Sequence, residues 1–255
     1  MPTTSSDPDL VRSRLGRPIL AAMFRGVAPG LLARQLCRLE GGPYRTATLR
    51  EFLLHRHELP VGAFTYGACL RPGVFGRGAR IGRYVSMARG VAWGLNHPVG
   101  EPFLHPAFYD PAFGLVDEPS LPEAQLEICA DAWIGDHVVI TPGCRRIGYG
   151  AVVGAGAVLV ADVPDFAVAV GVPARVKRLR FPEATCQALL DSRWWERPFA
   201  ELRGYAELAR SAGNDAGLAE HLNAVTRRLT AASATAPQPA GAARLPGDAS
   251  GPRQR

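Results

Sequence analysis

Residues 128–163 read ICADAWIGDHVVITPGCRRIGYGAVVGAGAVLVADV, and their spacing decides the fold. Ile128, Ile134 and Ile140 stand six apart, and Ile147, Val153 and Leu159 resume the step. Upstream, Ala63, Cys69, Phe75, Ile81, Met87 and Trp93 keep the same interval. Small or β-branched residues recur four places after these apolar ones, at Ala79, Val85, Val91, Val138, Cys144, Ala151, Ala157 and Val163. Gly follows directly at Gly76, Gly82, Gly135, Gly148 and Gly154. A fixed short period is the signature of a stacked repeat rather than of a domain with mixed elements.

Each hexad reads as one side of a triangular coil. Its apolar residue points inward onto the equivalent residue of the next coil, the small residue four places on fits a corner, and Gly is expected to permit the turn between sides. The fold class is therefore mainly β, a parallel β-helix. Ile140 to Ile147 is one residue longer than the period, which predicts that Arg145-Arg146 bulges outward at a corner.

With 255 residues, 47% of them hydrophobic, the chain is long enough to bury a core with appendages. No apolar run approaches membrane-spanning length and no secretory signal precedes the first charges, so a cytoplasmic location is expected. The five cysteines form no CxxC pair, which argues against a disulfide framework and a zinc ribbon. A net charge of +6 admits an anionic ligand, an anionic membrane surface or nucleic acid. Aromatic residues do not interleave with the arginines as a base-stacking surface requires, which excludes nucleic acid as the expected partner.

Taken in order, residues 1–60 read as an N-terminal helical extension whose first eight or so residues are polar and expected to be disordered. Val11, Leu15, Ile19, Leu20 and Met23 recur at helical spacing, Pro29-Gly30 breaks it, and Leu31, Leu32 and Leu36 resume it. This hairpin is expected to pack on the repeat in preference to lying on a membrane. Thr48 and Glu51 form a capping-box pattern, with His55 and His57 at the end of the helix it opens. The repeat occupies 61–181, interrupted by a loop at 95–127 that carries six prolines, the position at which chemistry is expected. Phe166 to Val170 reads as a last strand. Residues 182–230 read as C-terminal helices, the first opened by Pro182 and carrying Trp194-Trp195, the others beginning near Pro198 and Gly217. From Ala231 to 255 the composition reads as a disordered tail.

Several motifs occur in one order along 61–196: Ile81-Gly82-Arg83-Tyr84-Val85-Ser86, Asn96-His97-Pro98, Trp133-Ile134-Gly135, Val153-Gly154-Ala155-Gly156, Gly171-Val172-Pro173-Ala174-Arg175, and Arg180-Phe181 before Trp194-Trp195. Together they resemble the hexapeptide-repeat acyltransferases of the xenobiotic and polysaccharide O-acetyltransferase branch. The resemblance implies a left-handed β-helix, a homotrimer with sites between subunits, and acetyl-CoA as co-substrate. It implies His97 as general base and Asn96 beside it; an imidazole suits the task because it titrates near neutrality. It implies cofactor contacts at Trp133, Gly135, Asp136, Gly154, Ala155, Arg175 and Arg178. Ser86 is a candidate acceptor contact, as are His105 and Tyr109, which lie in the same loop as His97, and no metal is expected. One departure stands out. Val160-Ala161 precedes Asp162 where relatives often carry Thr-Lys, and Arg145-Arg146 offers replacement charge.

The function expected is acetyl transfer to a hydroxyl of a sugar or polysaccharide precursor, with a xenobiotic hydroxyl as the alternative. A γ-type carbonic anhydrase would need three convergent histidines; His97, His105 and His137 are the only candidates and their spacing does not resemble that family. A non-catalytic scaffold is the remaining class.

Overall fold

The computed structural model describes residues 7–26, 28–94, 96–211 and 217–235. The tail expected beyond residue 235 and the start up to residue 6 lie outside the described residues. Three helices come first: α1 (Gly16–Phe24), α2 (Pro29–Leu39) and α3 (Ala47–His57). Eleven short strands follow: β1 (Ala79–Ile81), β2 (Ser86–Met87), β3 (Ala92–Trp93), β4 (Leu126–Ile128), β5 (Trp133–Ile134), β6 (Val139–Ile140), β7 (Arg146–Ile147), β8 (Val152–Val153), β9 (Val158–Leu159), β10 (Ala167–Val170) and β11 (Arg175–Leu179). Helices α4 (Glu183–Ser192), α5 (Arg203–Ser211) and α6 (Leu218–Thr235) close the described residues.

The sheet orders β1-β4-β7, β2-β5-β8-β10-β11 and β3-β6-β9 make a three-sided coil in which, from β1 to β9, every third strand returns to the same sheet, and β10 and β11 extend the second sheet. All pairings are parallel except β10 with β11. Three inward columns result: Ile81-Ile128-Ile147, Met87-Ile134-Val153-Ala169 and Trp93-Ile140-Leu159. Trp93 is partly exposed and every other member is buried. The eight small residues expected at corners are buried as well. The six-residue period thus maps onto the burial pattern position by position.

The glycines act differently from expectation. Gly82, Gly135 and Gly148 follow an inward residue, yet none has a left-handed φ. A Cβ on them would meet backbone of the next coil, at 2.7 Å from Ala130 N, 2.6 Å from Ala155 N and 2.5 Å from Asp165 N respectively. They are required by close stacking. The turning is done two residues later, where Tyr84, Asp131, His137, Gly150 and Gly156 all take positive φ. Left-handed non-glycine residues are costly singly, but here the N–H of Tyr84 is held by Ala63 O and that of Asp131 by Arg83 O, each in an adjoining coil.

Helices α1–α3 seal one end of the coil: Met23, Leu36, Leu49, Phe52 and Leu53 join the same buried cluster as the columns. Stacked repeats need such a cap over their first open coil. Arg50 ties α3 to the first turn of the coil, its buried guanidinium donating to the carbonyls of Pro43, Tyr44, Thr46, Gly62 and Thr65. Burial lowers its pKa to about 10.

Several local expectations need correction. Val11 lies outside α1 and bridges to Thr46. Thr46, not Thr48, caps α3 by accepting from Leu49 N at 3.4 Å. Thr48 instead gives its hydroxyl and N–H to buried Glu40, and Glu51 pairs with Arg12. Asp7, expected in the disordered start, pairs with Arg83. Arg145 is exposed at the bulge, whereas Arg146 belongs to β7 and pairs with Asp165. The loop gives way to β4 at Leu126, before residue 127. Pro182 caps α4 from outside, Trp194-Trp195 form a separate 3₁₀ turn, and α6 continues through residues 231–235. Among the described residues no helix is long and apolar enough to cross a membrane.

Candidate active site

The coil is broken after β3, and the loop that leaves it carries His97. This segment is ordered by two consecutive Pro-Ala-Phe 3₁₀ turns, Pro106–Phe108 and Pro111–Phe113, each capped by the side chain just before it. His105 Nδ1 accepts from Ala107 N at 3.2 Å, and Asp110 Oδ1 accepts from Ala112 N at 2.9 Å. Proline at the first position of each turn costs no hydrogen bond and presets φ. Tyr109 stands between the two turns.

The imidazole of His97 is clamped at one nitrogen. Nδ1 lies 3.0 Å from the Leu104 carbonyl oxygen and 2.9 Å from the Tyr109 hydroxyl. A carbonyl oxygen only accepts, so Nδ1 carries the proton. In the neutral imidazole Nε2 is then the nitrogen that carries the lone pair. Asn96 Oδ1 accepts from His97 N at 3.0 Å, a local turn that shapes the backbone at the histidine.

A second group of expected residues gathers on another side of the coil. The register of β2, β5, β8, β10 and β11 aligns Ser86, Trp133, Val152, Val168 and Arg178 in one transverse row. Together with Asp131 and Arg180 they line a cavity of about 500 Å³. Trp133 is 57% exposed and forms an open aromatic wall. Arg175 and Arg178 lie on the wholly exposed β11, their guanidinium groups donating to backbone at Ala174 and Leu179. Ala155 is exposed beside the half-buried Gly154, whose missing side chain leaves room for Val170.

Two expected cofactor contacts are engaged in holding coils together. Gly135 sits directly under Ala155. Asp136 Oδ1 accepts from Gly90 N at 2.8 Å and Oδ2 lies 3.2 Å from His137 Nδ1. The hydrogen bond from Gly90 lowers the Asp136 pKa first, the neighbouring His137 further. Asp136 does not line the cavity. His105, the expected acceptor contact, has its Nδ1 occupied as a cap, and His137 lies at a different corner from His97. Among the described residues no three His, Cys, Asp or Glu side chains form a metal set, and no hydrogen bond or ring contact joins the His97 cluster to the Trp133 row.

Asp131, 3.5 Å from Arg180, was not singled out by the sequence, and Arg180 was read only as part of a motif, not as a site residue. Burial raises the Asp131 pKa against the opposing pull of Arg180. This pair also borders a larger cavity of about 830 Å³, closed on the far side by apolar residues of the C-terminal helices such as Trp194, Tyr205, Leu208 and Leu222. The signal available was positional: Asp131 stands at the left-handed corner occupied by Tyr84 one coil earlier.

A three-sided parallel coil interrupted by one histidine-bearing loop defines a hexapeptide-repeat protein. No family model matches the chain. It is 30% identical over 158 residues to a probable macrolide acetyltransferase of Lysinibacillus sphaericus, covering 58% of this chain and 84% of that one. It is 32% identical over 130 residues to a chloramphenicol acetyltransferase of Escherichia coli, covering 48% of this chain and 61% of that protein's length. A galactoside O-acetyltransferase of Escherichia coli K12 is 52% identical over 48 residues, 19% of this chain and 23% of that one. The chain belongs to the hexapeptide-repeat acetyltransferases.

Proposed function

We propose that this protein is an acetyl-CoA-dependent O-acetyltransferase, working as a homotrimer of left-handed coils, that esterifies a hydroxyl on an amphipathic, antibiotic-like acceptor. The observation that carries the reading is the clamp on His97 Nδ1, which leaves Nε2 as a base. His97 Nε2 takes the hydroxyl proton as the acceptor oxygen adds to the thioester carbonyl, and returns it to sulfur as the carbon–sulfur bond breaks. Acetyl-CoA supplies the activated acyl group, and this chain needs no covalent intermediate of its own.

The residues fit that co-substrate. Trp133 offers an aromatic face, Gly154 and Ala155 leave a shallow floor, and Arg175 and Arg178 put exposed positive charge on β11, which suits the phosphates of such a co-substrate. The departure at Val160-Ala161 is not repaired by Arg146, which is engaged by Asp165. The His97 loop leaves from β3, on a different sheet from the Trp133 row, so the reading puts the loop of one subunit against the row of its neighbour.

An apolar-bodied acceptor is favoured by the exposed Phe103, Leu104, Phe108 and Phe113 in the same loop as the histidine. Similarity to macrolide and chloramphenicol acetyltransferases supports the same choice. A sugar hydroxyl is the second reading, favoured by the short stretch shared with galactoside O-acetyltransferase.

Thiol release from acetyl-CoA is the test, run with chloramphenicol, a macrolide, a galactoside and maltose. Acceptor-dependent release should fall about 10²–10⁴-fold in His97→Ala, the range for losing a general base. Release unchanged in the variant would overturn the role of His97, and failure to bind coenzyme A would overturn the class of reaction.

A further inference from the structure

We propose that Tyr109 is a positioning residue for His97 and not a contact for the acceptor. The proposal rests on His97 being the base, and it makes the second partner of Nδ1 part of the machinery. Two groups reach that nitrogen, the Leu104 carbonyl at 3.0 Å and the Tyr109 hydroxyl at 2.9 Å. Were Nδ1 bare, Tyr109 could donate to it, but the carbonyl oxygen would then face a lone pair at hydrogen-bond distance. With the proton on Nδ1, both oxygens accept a share of it. The Tyr109 O–H is left pointing away from the imidazole.

This arrangement fixes two things a base needs. The tautomer is fixed because moving the proton to Nε2 would strand the Leu104 carbonyl. The ring plane is fixed because the phenol meets the imidazole at 87°, with centroids 5.9 Å apart, so rotation about the side chain would lose both the contact and the shared proton. When His97 accepts a second proton, the Nδ1–H becomes a stronger donor and its two acceptors are already in place. A catalytic triad puts a carboxylate at this position. Here, among the described residues, no carboxylate or guanidinium pairs with His97. Tyr109 is the titratable group that faces it.

The loop is built to hold the phenol there. Tyr109 N donates to Pro106 O at 3.0 Å, its carbonyl accepts from Ser120 N at 3.3 Å, and the next residue, Asp110, caps the second turn. His105 and Asp110, flanking it on either side, therefore serve Tyr109 by fixing the two turns between which it stands. Pre-organisation of this kind is what keeps a catalytic group in register without a rigid strand beneath it.

The decisive measurement is the ¹⁵N spectrum of the histidine-labelled full chain, with the His97 signals assigned from His97→Gln. The wild type should show a single tautomer, proton on Nδ1. Tyr109→Phe keeps the ring and removes only the oxygen; the Leu104 carbonyl still holds the tautomer, so the proton should stay on Nδ1 while the Nδ1 resonance shifts with the loss of its second acceptor. Unchanged signals in Tyr109→Phe, or a wild type with its proton on Nε2, would overturn the proposal without reference to any acceptor. In the acetyl-transfer assay, Tyr109→Phe should lower kcat about tenfold with acceptor KM within twofold. A raised KM with kcat intact would make Tyr109 an acceptor contact instead. His97→Ala, run alongside, separates the outcomes: if it stays active the base assignment itself falls, whereas if it is dead and Tyr109→Phe is normal only the positioning role falls.

Discussion

Gly135→Ala tests why glycine follows the inward residue in this repeat. A Cβ at this position would stand 2.6 Å from Ala155 N, 2.9 Å from its Cα and 3.0 Å from Gly154 C, against the 3.4 Å or more of an ordinary contact. All three atoms are backbone of the next coil. They cannot swing away, because Gly135 N donates to Val153 O and Gly156 N to Asp136 O, both at 2.8 Å. Relief therefore requires the coils to part by several tenths of an ångström along the ladder, and overpacking against a fixed partner costs about 1–3 kcal/mol. With backbone on the receiving side the upper half of that range applies, about 2–3 kcal/mol, or a fall in Tm of about 5–10 °C for a chain of this size. Two controls separate crowding from conformation. Gly156 has nothing within 4 Å but a φ of +71°, so Gly156→Ala should cost about 1 kcal/mol through φ alone. Gly76 has its nearest neighbour at 3.8 Å and no left-handed φ, so Gly76→Ala should be neutral or slightly stabilising. Urea unfolding at one fixed protein concentration should rank the losses Gly135, Gly156, Gly76. A Gly135→Ala protein as stable as Gly76→Ala would refute the stacking explanation and return glycine to the turning role expected from the sequence.

Arg178 lies in the exposed row with Trp133, so Arg178→Ala should raise KM for acetyl-CoA about tenfold and leave kcat within twofold, a difference that added salt should shrink because exposed charge is screened; an unchanged KM would remove Arg178 from the cofactor surface. Cys69, Cys129 and Cys144 are buried, and burial pushes each thiol up to about 12 from a usual value near 8.5. Above pH 8.5 the unfolded chain gives up these protons while the folded chain keeps them. Stability should therefore fall as pH rises, by at most ~1.4 kcal/mol per pH unit for each thiol. Arg50, held down to about 10, acts in the opposite sense only above that pH, so unfolding between pH 8.5 and 10 isolates the thiols. Flat or rising stability over that window would contradict their protonated burial.

The inward columns were legible because a period of six assigns each apolar residue to one face, and the parallel ladder then holds equivalent residues in contact. Ile128, Ile134 and Ile140 could be placed from spacing alone. The turns were not legible, since the left-handed corner is occupied by Tyr84, Asp131 and His137, residue types that carry no common signal. Thr48 and Glu51 matched a capping box locally, but Glu40, eight residues earlier, takes Thr48 and so moves the cap to Thr46. A local motif lost to a buried charge that needed more donors than its own segment could supply.

The candidate site divides along the same line. Ser86, Trp133 and Arg178 occupy ladder positions, so their alignment follows from strand register once the coil is known. Each is placed by hydrogen bonds of the sheet, and a substitution in one leaves the others in position. His97, Asn96, His105 and Tyr109 lie in a loop with no period, where identity alone could say that a histidine was present and not which nitrogen was free. That distinction depends on a carbonyl, a phenol and two capped turns spread over residues 97–113. The two halves should therefore respond differently to mutation: changes in the row act singly on affinity, whereas changes at His105, Asp110 or Tyr109 converge on one imidazole and act together on turnover.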